Sequence, residues 1–212
     1  IDGVLYDKSV SELIACPRLK DEITIPDGIQ TISPFAFYSC QNLRVINMPN
    51  SITMLGEAGF WGCNSFTDIN FSDNITFIDD NAFWECTSLT SMLLPKSIAG
   101  IGDNAFTGCT NLTKIYINRE EPPFIEKRTF YRTNGELVIY VPKGCKERYK
   151  NSETWRTLNI IEMEIQGKVK ALLSEQTGTS ARTGNSWKSQ EFVLDYFWWP
   201  NQVFASQMVL KM

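Results

Sequence analysis

Four of the six cysteines in this 212-residue chain stand at positions 40, 63, 86 and 109, a constant interval of 23 residues. Disulfide frameworks and zinc sites do not space their ligands so evenly, so the interval marks one structural position used repeatedly. Stacking the chain every 23 residues brings further apolar columns into register. Ile23, Ile46, Ile69, Met92 and Ile115 form one, and Ile25, Met48, Phe71, Leu94 and Ile117 the next. Ile29, Ile52, Ile75 and Ile98 follow, then Ile32, Leu55, Ile78 and Ile101. Behind them come Phe37, Phe60, Phe83 and Phe106, the cysteines, and Leu43, Phe66, Leu89 and Leu112.

Each period has an internal logic. An Ile-x-Ile unit closed by Pro26, Pro49 or Pro95 reads as a short strand with two inward residues. The segment Ala-Phe-x-x-Cys-x-x-Leu is too short for a full α-helix and predicts a turn or a 3₁₀ piece. No single period can bury its own apolar face. Stacked periods bury a continuous core, with the strands forming a parallel sheet along one side.

These residues resemble the BspA-like leucine-rich repeats of bacterial surface proteins. The resemblance is carried by Ile-Pro-Asp-Gly-Ile-Gln-Thr-Ile at 25–32 and Ala-Phe-Tyr-Ser-Cys-Gln-Asn-Leu at 36–43, with their three echoes. Gly3 to Asp7 through Leu13 to Pro17 is similar to that family's opening hairpin. Val141 to Tyr149, Trp155 and Ile160-Ile161-Glu162 are similar to its closing turn. The resemblance implies a right-handed solenoid, secreted or cell-surface placement, and a role in adhesion or recognition.

The expected organisation is a solenoid over 1–161. It comprises a hairpin cap (1–22), regular repeats (23–117), and a degenerate repeat with a closing cap (118–161), since terminal turns must present a polar end to water. From 162 to 212 the rhythm stops and strand alternation begins, which predicts a small antiparallel β tail. Gly167-Lys168-Val169, Gly178 to Asn185 and Trp187 to Leu194 resemble the front half of a small bacterial OB-fold family of unknown function. An OB-fold needs five strands to close, and about three are readable, so the expected tail is an incomplete barrel. An open edge of that kind invites pairing between two chains. The fold class expected overall is therefore an α/β-type, strand-rich repeat solenoid followed by an antiparallel, OB-like tail.

Composition narrows the function. There is no histidine, which removes the commonest general base and zinc ligand and every Ser-His or Cys-His pair. Phosphate-binding, nucleophile-elbow and Cys-x-x-Cys motifs are also lacking. The expectation is a non-enzyme with neither cofactor nor metal, and with no membrane-spanning segment. The formal net charge of −4 gives no long-range pull towards nucleic acid. The chain begins at Ile1, and the expectation is that the native N-terminus, with any signal or lipid anchor, has been trimmed.

Three sets of residues compete for roles. The four periodic cysteines read as buried apolar fillers, leaving Cys16 and Cys145 as candidate reactive thiols. Asp73, Asp79-Asp80, Asp103 and Glu120-Glu121 read as turn carboxylates, not as a metal site. Tyr38, Trp61 and Trp84, ending in Thr107, form a stripe that follows the buried phenylalanines directly. It is either a binding platform for a sugar or a protein, or a self-stacking ladder that shields the turn beneath.

The outward strand positions read Glu22, Val45, Asp68, Ser91, Lys114 and Thr24, Asn47, Asn70, Leu93, Tyr116. Solenoids commonly bind on such a face, yet an ordinary solvated sheet has the same composition. The candidate ligand-binding residues are Tyr38, Trp61, Trp84, Asn47, Asn70, Leu93, Tyr116, Asp68 and Lys114. The expected function is recognition of a protein or glycan on a host or neighbouring cell, from a secreted or surface position. The alternative is an intracellular scaffold whose tail binds single-stranded nucleic acid or a protein, although the balanced charges of the tail disfavour nucleic acid. A further expectation is that the tail either docks on the solenoid end or forms a dimer through its strands.

Overall fold

The 23-residue period closes into one turn of a right-handed, three-sided coil, and about seven such turns stack in the computed structural model. The structure describes residues 3–67 and 69–163, which belong to one compact unit, residues 1–165.

The first side carries the Ile-x-Ile strands. Glu22–Thr24 pairs in parallel with Val45–Asn47, placing Ile23 opposite Ile46. Further along, Ser91–Leu94, Lys114–Ile117, Val138–Pro142 and Asn159–Met163 form a four-stranded parallel sheet. Met92, Ile115, Ile139 and Ile160 align rung by rung and are all buried. At the third rung no strand is formed among the described residues, and Ile69 is still buried.

A second sheet, which the sequence reading reduced to an apolar pair, forms the next side. Its strands are two residues long: Thr31–Ile32, Met54–Leu55, Phe77–Ile78, Gly100–Ile101 and Phe124–Ile125. Ile32, Leu55, Ile78, Ile101 and Ile125 stack in register as the inward residue of each. At the N-terminal end Glu12–Ala15 pairs with Thr31–Ile32 and, antiparallel, with Leu5–Tyr6. One inward residue per strand suffices because each is held by neighbours above and below.

The third side contains the Ala-Phe-x-x-Cys segments, folded as turns with no helix. Two left-handed residues bend each one. Phe35, Ala58, Asn81 and Asn104 occupy one such column, and Ser39, Gly62, Glu85, Gly108 and Arg132 the other, with φ between +52° and +76°. Hydrogen bonds lace these bends together in one direction. The N–H groups of Phe37, Phe60, Phe83 and Phe106 donate to Gly59, Ala82, Ala105 and Thr129 of the following turn at 2.8–2.9 Å. The left-handed residues do the same: Ser39 to Trp61, Gly62 to Trp84 and Glu85 to Thr107 at 2.7–2.8 Å.

Within the coil, Phe37, Phe60, Phe83, Phe106 and Phe130 make a near-parallel ring stack with centroids 4.8–5.5 Å apart. The spacing follows from the strand separation of ≈ 4.7–4.9 Å. Beside it the thiols of Cys63, Cys86 and Cys109 each donate to the carbonyl of Phe37, Phe60 and Phe83 at 3.0 Å. They are therefore small apolar fillers that also tie one turn to the previous one.

All six cysteines are free and buried, so the two candidate reactive thiols, Cys16 and Cys145, are shielded like the others. Burial pushes the thiols of Cys63, Cys86 and Cys145 up, and that of Cys109 up to about 12. At pH 8 these groups stay protonated and shielded, and only the thiolate reacts. A thiol reagent is therefore expected to modify fewer than one of the six cysteines rapidly in the native protein, and all six in denaturant. Rapid native labelling of two or more would show that the turns open.

The chain closes at residues 119–163. A short α-helix, Lys146–Asn151, and a 3₁₀ turn, Trp155–Thr157, seat Trp155 over Phe130, with Tyr149 edge-on to Trp155. The Tyr149 hydroxyl donates to the Arg119 carbonyl at 2.9 Å, and Trp155 Nε1 to the Pro123 carbonyl at 2.7 Å. Both rings keep a partner for their polar ends while burying the rest, as buried Tyr and Trp require.

The expected fold class needs correction on two counts. The described residues are strand- and turn-rich, with helix confined to that cap, so an α/β-type description does not apply. The last described strand, Asn159–Met163, does not open an antiparallel meander. It pairs in parallel with Val138–Pro142, because Ile160 buries itself beside Ile139 and continues the solenoid column. The remaining residues assigned to the OB-like tail, 164–212, lie outside the described residues, and so does Asp68.

Candidate recognition surfaces

Each inward residue of the coil fixes an outward neighbour, so any surface site must repeat with the turn. On the third side the residue after each stacked phenylalanine is thrown outward. Tyr38 lies 5.8 Å edge-on from Trp61, and Trp61 stacks on Trp84 at 4.8 Å with an interplanar angle of 10°. Tyr38 is exposed, and the two indoles are half-buried. The stripe thus shields its own turns and still offers ring edges to solvent.

Two residues missed in the sequence reading extend the stripe at its ends. Phe35, exposed and left-handed at φ +59°, packs edge-on against Tyr38 at 6.0 Å. Holding a bulky residue in that conformation is uncommon. At the other end Tyr131 follows Phe130 as Trp84 follows Phe83, and is exposed. Its interval from Thr107 is 24 residues, one more than the period, which hid it from a strict 23-residue alignment. The signal was present as Thr129-Phe130-Tyr131, once a single insertion is allowed.

Between Trp84 and Tyr131 the column holds Thr107, buried, followed by Gly108. The result is a hollow of about 310 Å³ lined by Trp84, Glu85, Asn104, Thr107, Gly108, Arg128, Tyr131 and Arg132. Gly108 sits at φ +76°, and a Cβ there would meet Glu85 Cγ at 3.1 Å. Thr107 Oγ1 is engaged by Asn104 Oδ1 and the Arg128 carbonyl, both at 3.2 Å. Arg128 pairs with Asp103, its Nε 3.1 Å from Oδ2, while the Arg132 guanidinium lies 5.3 Å over the Tyr131 ring.

The strand face is less uniform than expected. Glu22, Thr24, Asn47 and Asn70 are exposed, and Val45, Leu93 and Lys114 half-buried, whereas Ser91 and Tyr116 are buried. Asn47 Nδ2 donates to Thr24 Oγ1 at 3.2 Å, so part of this face satisfies itself. Tyr116 stacks on Tyr140 at 4.9 Å and is flanked in register by Leu93. Burial, with Tyr140 beside it, raises the Tyr116 phenol above its ordinary value. The structure therefore separates the proposed residues into two places, the aromatic stripe on one side and the strand face on another.

The carboxylates behave as turn and cap groups. Asp79 Oδ1 accepts from the Asp80 N–H at 2.8 Å, and Asp80 Oδ1 from the Asp103 N–H at 2.7 Å. Glu120 and Glu121 face Arg148 at 3.2 and 3.1 Å. Among the described residues no group of acidic or cysteine side chains is arranged to hold a metal ion, and no helix is long and apolar enough to cross a membrane.

Comparison with known proteins agrees with this architecture. The BspA-type leucine-rich-repeat region matches residues 14–137 in six copies. A leucine-rich cell surface protein from Faecalibacterium prausnitzii has a similar structure, with 32% identity and a TM-score of 0.64 over 71% of this chain. The pneumococcal vaccine antigen PcpA (20% identity, TM-score 0.61, 78% of this chain) shares the fold. So does a Treponema pallidum leucine-rich-repeat protein (23% identity, TM-score 0.57, 72% of this chain and 73% of its own). The chain spans 40% of the F. prausnitzii protein and 47% of PcpA. No curated protein matches the sequence.

Proposed function

Because the chain belongs to the BspA-type leucine-rich-repeat family and is not an enzyme, we propose that it is a recognition or adhesion protein. It acts from a secreted or cell-surface position and binds a protein or glycan on a host or neighbouring cell. The observation that carries this reading is the aromatic stripe. Beyond the inward columns that fill its core, the coil also carries outward rings at Tyr38, Trp61 and Trp84 on consecutive turns. Trp and Tyr dominate binding hot spots, and a rigid scaffold presents them at little entropic cost. Likeness to a cell surface protein at 32% identity supports the placement. The strand face, with Asn47, Asn70, Leu93, Lys114 and Tyr116, is the second proposed contact area.

The test is binding of the purified 212-residue protein to host cells and to immobilised matrix proteins and glycans. The double variant Trp61→Ser/Trp84→Ser is expected to bind at least tenfold more weakly, about 1.4 kcal/mol or more, while keeping a cooperative melt. Unchanged affinity would reduce the stripe to a structural ladder. Cleavage of the native protein by protease on intact source cells supports the location, and protection until lysis would refute it.

A further inference from the structure

The stripe is interrupted at one turn only, and the interruption is a built slot. Rung for rung, Tyr38, Trp61, Trp84, Thr107 and Tyr131 occupy the same position, and the neighbouring left-handed column reads Ser39, Gly62, Glu85, Gly108 and Arg132. The fourth turn therefore carries small residues in both columns at once, Thr107 beside Gly108. Trp84 and Tyr131 are left as side walls two turns apart, roughly 10 Å at the strand spacing. A ring seated between them would lie roughly 5 Å from each wall, inside the range of ring-to-ring contacts.

The edges of the slot differ in kind from its walls. Glu85 and Arg132 make no side-chain hydrogen bond among the described residues, and Asn104 Nδ2 uses one of its two hydrogens on Asp103 at 3.0 Å. The Arg128 guanidinium is fixed by Asp103. Acceptors and donors thus ring an aromatic cleft. A flat hydrocarbon ring would satisfy the walls and desolvate these charged edges without return, which is costly. A pyranose ring satisfies both: its C–H faces lie against Trp84 and Tyr131, and its hydroxyls exchange hydrogen bonds with Glu85, Asn104 and Arg132. At about 310 Å³ the hollow lies at the small end of ligand sites, ~300–1,000 Å³. Tyr131 and Arg132 also line a second hollow of about 240 Å³ on the side of Thr154 and Leu158, so a chain of sugars has somewhere to continue.

We propose that the slot between Trp84 and Tyr131, floored by Thr107 and Gly108, is a binding site for a hexopyranose unit of a glycan. The proposal rests on reading the chain as a binding protein, and adds where and what it binds. Free sugars test it without any cell or partner. Saturation-transfer NMR on the 212-residue protein with galactose, N-acetylglucosamine, glucuronate and their β-linked disaccharides is expected to label the ring C–H protons of at least one. A disaccharide is expected to bind more tightly than its monosaccharide.

Thr107→Trp refills the column as in the two preceding turns and is expected to abolish the transfer. Tyr131→Ala, at a half-exposed ring, is expected to weaken binding at least tenfold, and it decides the matter alone if Thr107→Trp does not fold. No transfer from any of these sugars, or transfer that survives both variants, overturns the slot. Cell binding that persists in those circumstances leaves the broader recognition function standing. Loss of both removes the two together.

Discussion

Replacing Phe83 by alanine is expected to lower the stability of the solenoid by about 3–5 kcal/mol, the usual cost of emptying a fully buried phenylalanine site. Phe83 is fully buried and stacks between Phe60 and Phe106, with Phe66 and Phe71 edge-on to it at 6.4 and 5.9 Å. The site cannot collapse inward, because the backbone on this side is pinned by the Phe83 N–H to the Ala105 carbonyl at 2.8 Å. In a one-dimensional array the damage also falls on the coupling between turns. Urea unfolding is therefore expected to broaden as well as shift, with the turns before and after residue 83 separating. A loss below about 1 kcal/mol with unchanged steepness would mean that the ring stack is not what couples them.

Trp155→Ala is expected to cost a similar ~3–5 kcal/mol, distributed differently along the chain. The indole is 1% exposed, contacts Phe130 and Tyr149, and donates to the Pro123 carbonyl. Its removal leaves a buried carbonyl without its donor and uncovers the end of the phenylalanine stack. Hydrogen exchange is expected to lose protection first across 119–160, while the hairpin and the first turns keep theirs. Uniform loss along the whole chain would show that the solenoid melts as a single unit with no separable end.

The inward columns were legible because burial repeats with the turn: Ile32, Phe37, Cys40 and Leu43 recur at one interval and are all fully buried. What the period could not convey was the number of sides. Two-residue strands such as Thr31–Ile32 carry no alternation long enough to distinguish from a loop, so the second sheet was read as a mere apolar pair. The third side is held by backbone bonds between bends, which leave little trace in residue type beyond Gly62 and Gly108.

At the C-terminal end the error had a different source. The antiparallel tail was expected to begin at residue 162, but Glu162 and Met163 continue the parallel strand of Ile160 and Ile161, in register with Val141 and Pro142. The Tyr38, Trp61 and Trp84 stripe could be read as a column, but the slot beside it could not. It exists because Tyr131 arrives one residue late, and because the small pair Thr107-Gly108 looks unremarkable until its neighbours are seen.

The one-way lacing of the bends gives the molecule a direction. The left-handed residues Phe35, Ser39, Ala58, Gly62, Asn81, Glu85 and Gly108, at a cost of about 1–3 kcal/mol each outside glycine, donate their N–H to the turn that follows. During synthesis the N-terminal turns leave the ribosome first, and a bend such as Ser39 has no acceptor until Trp61 has also emerged. Folding is therefore expected to lag translation by one full turn along the chain.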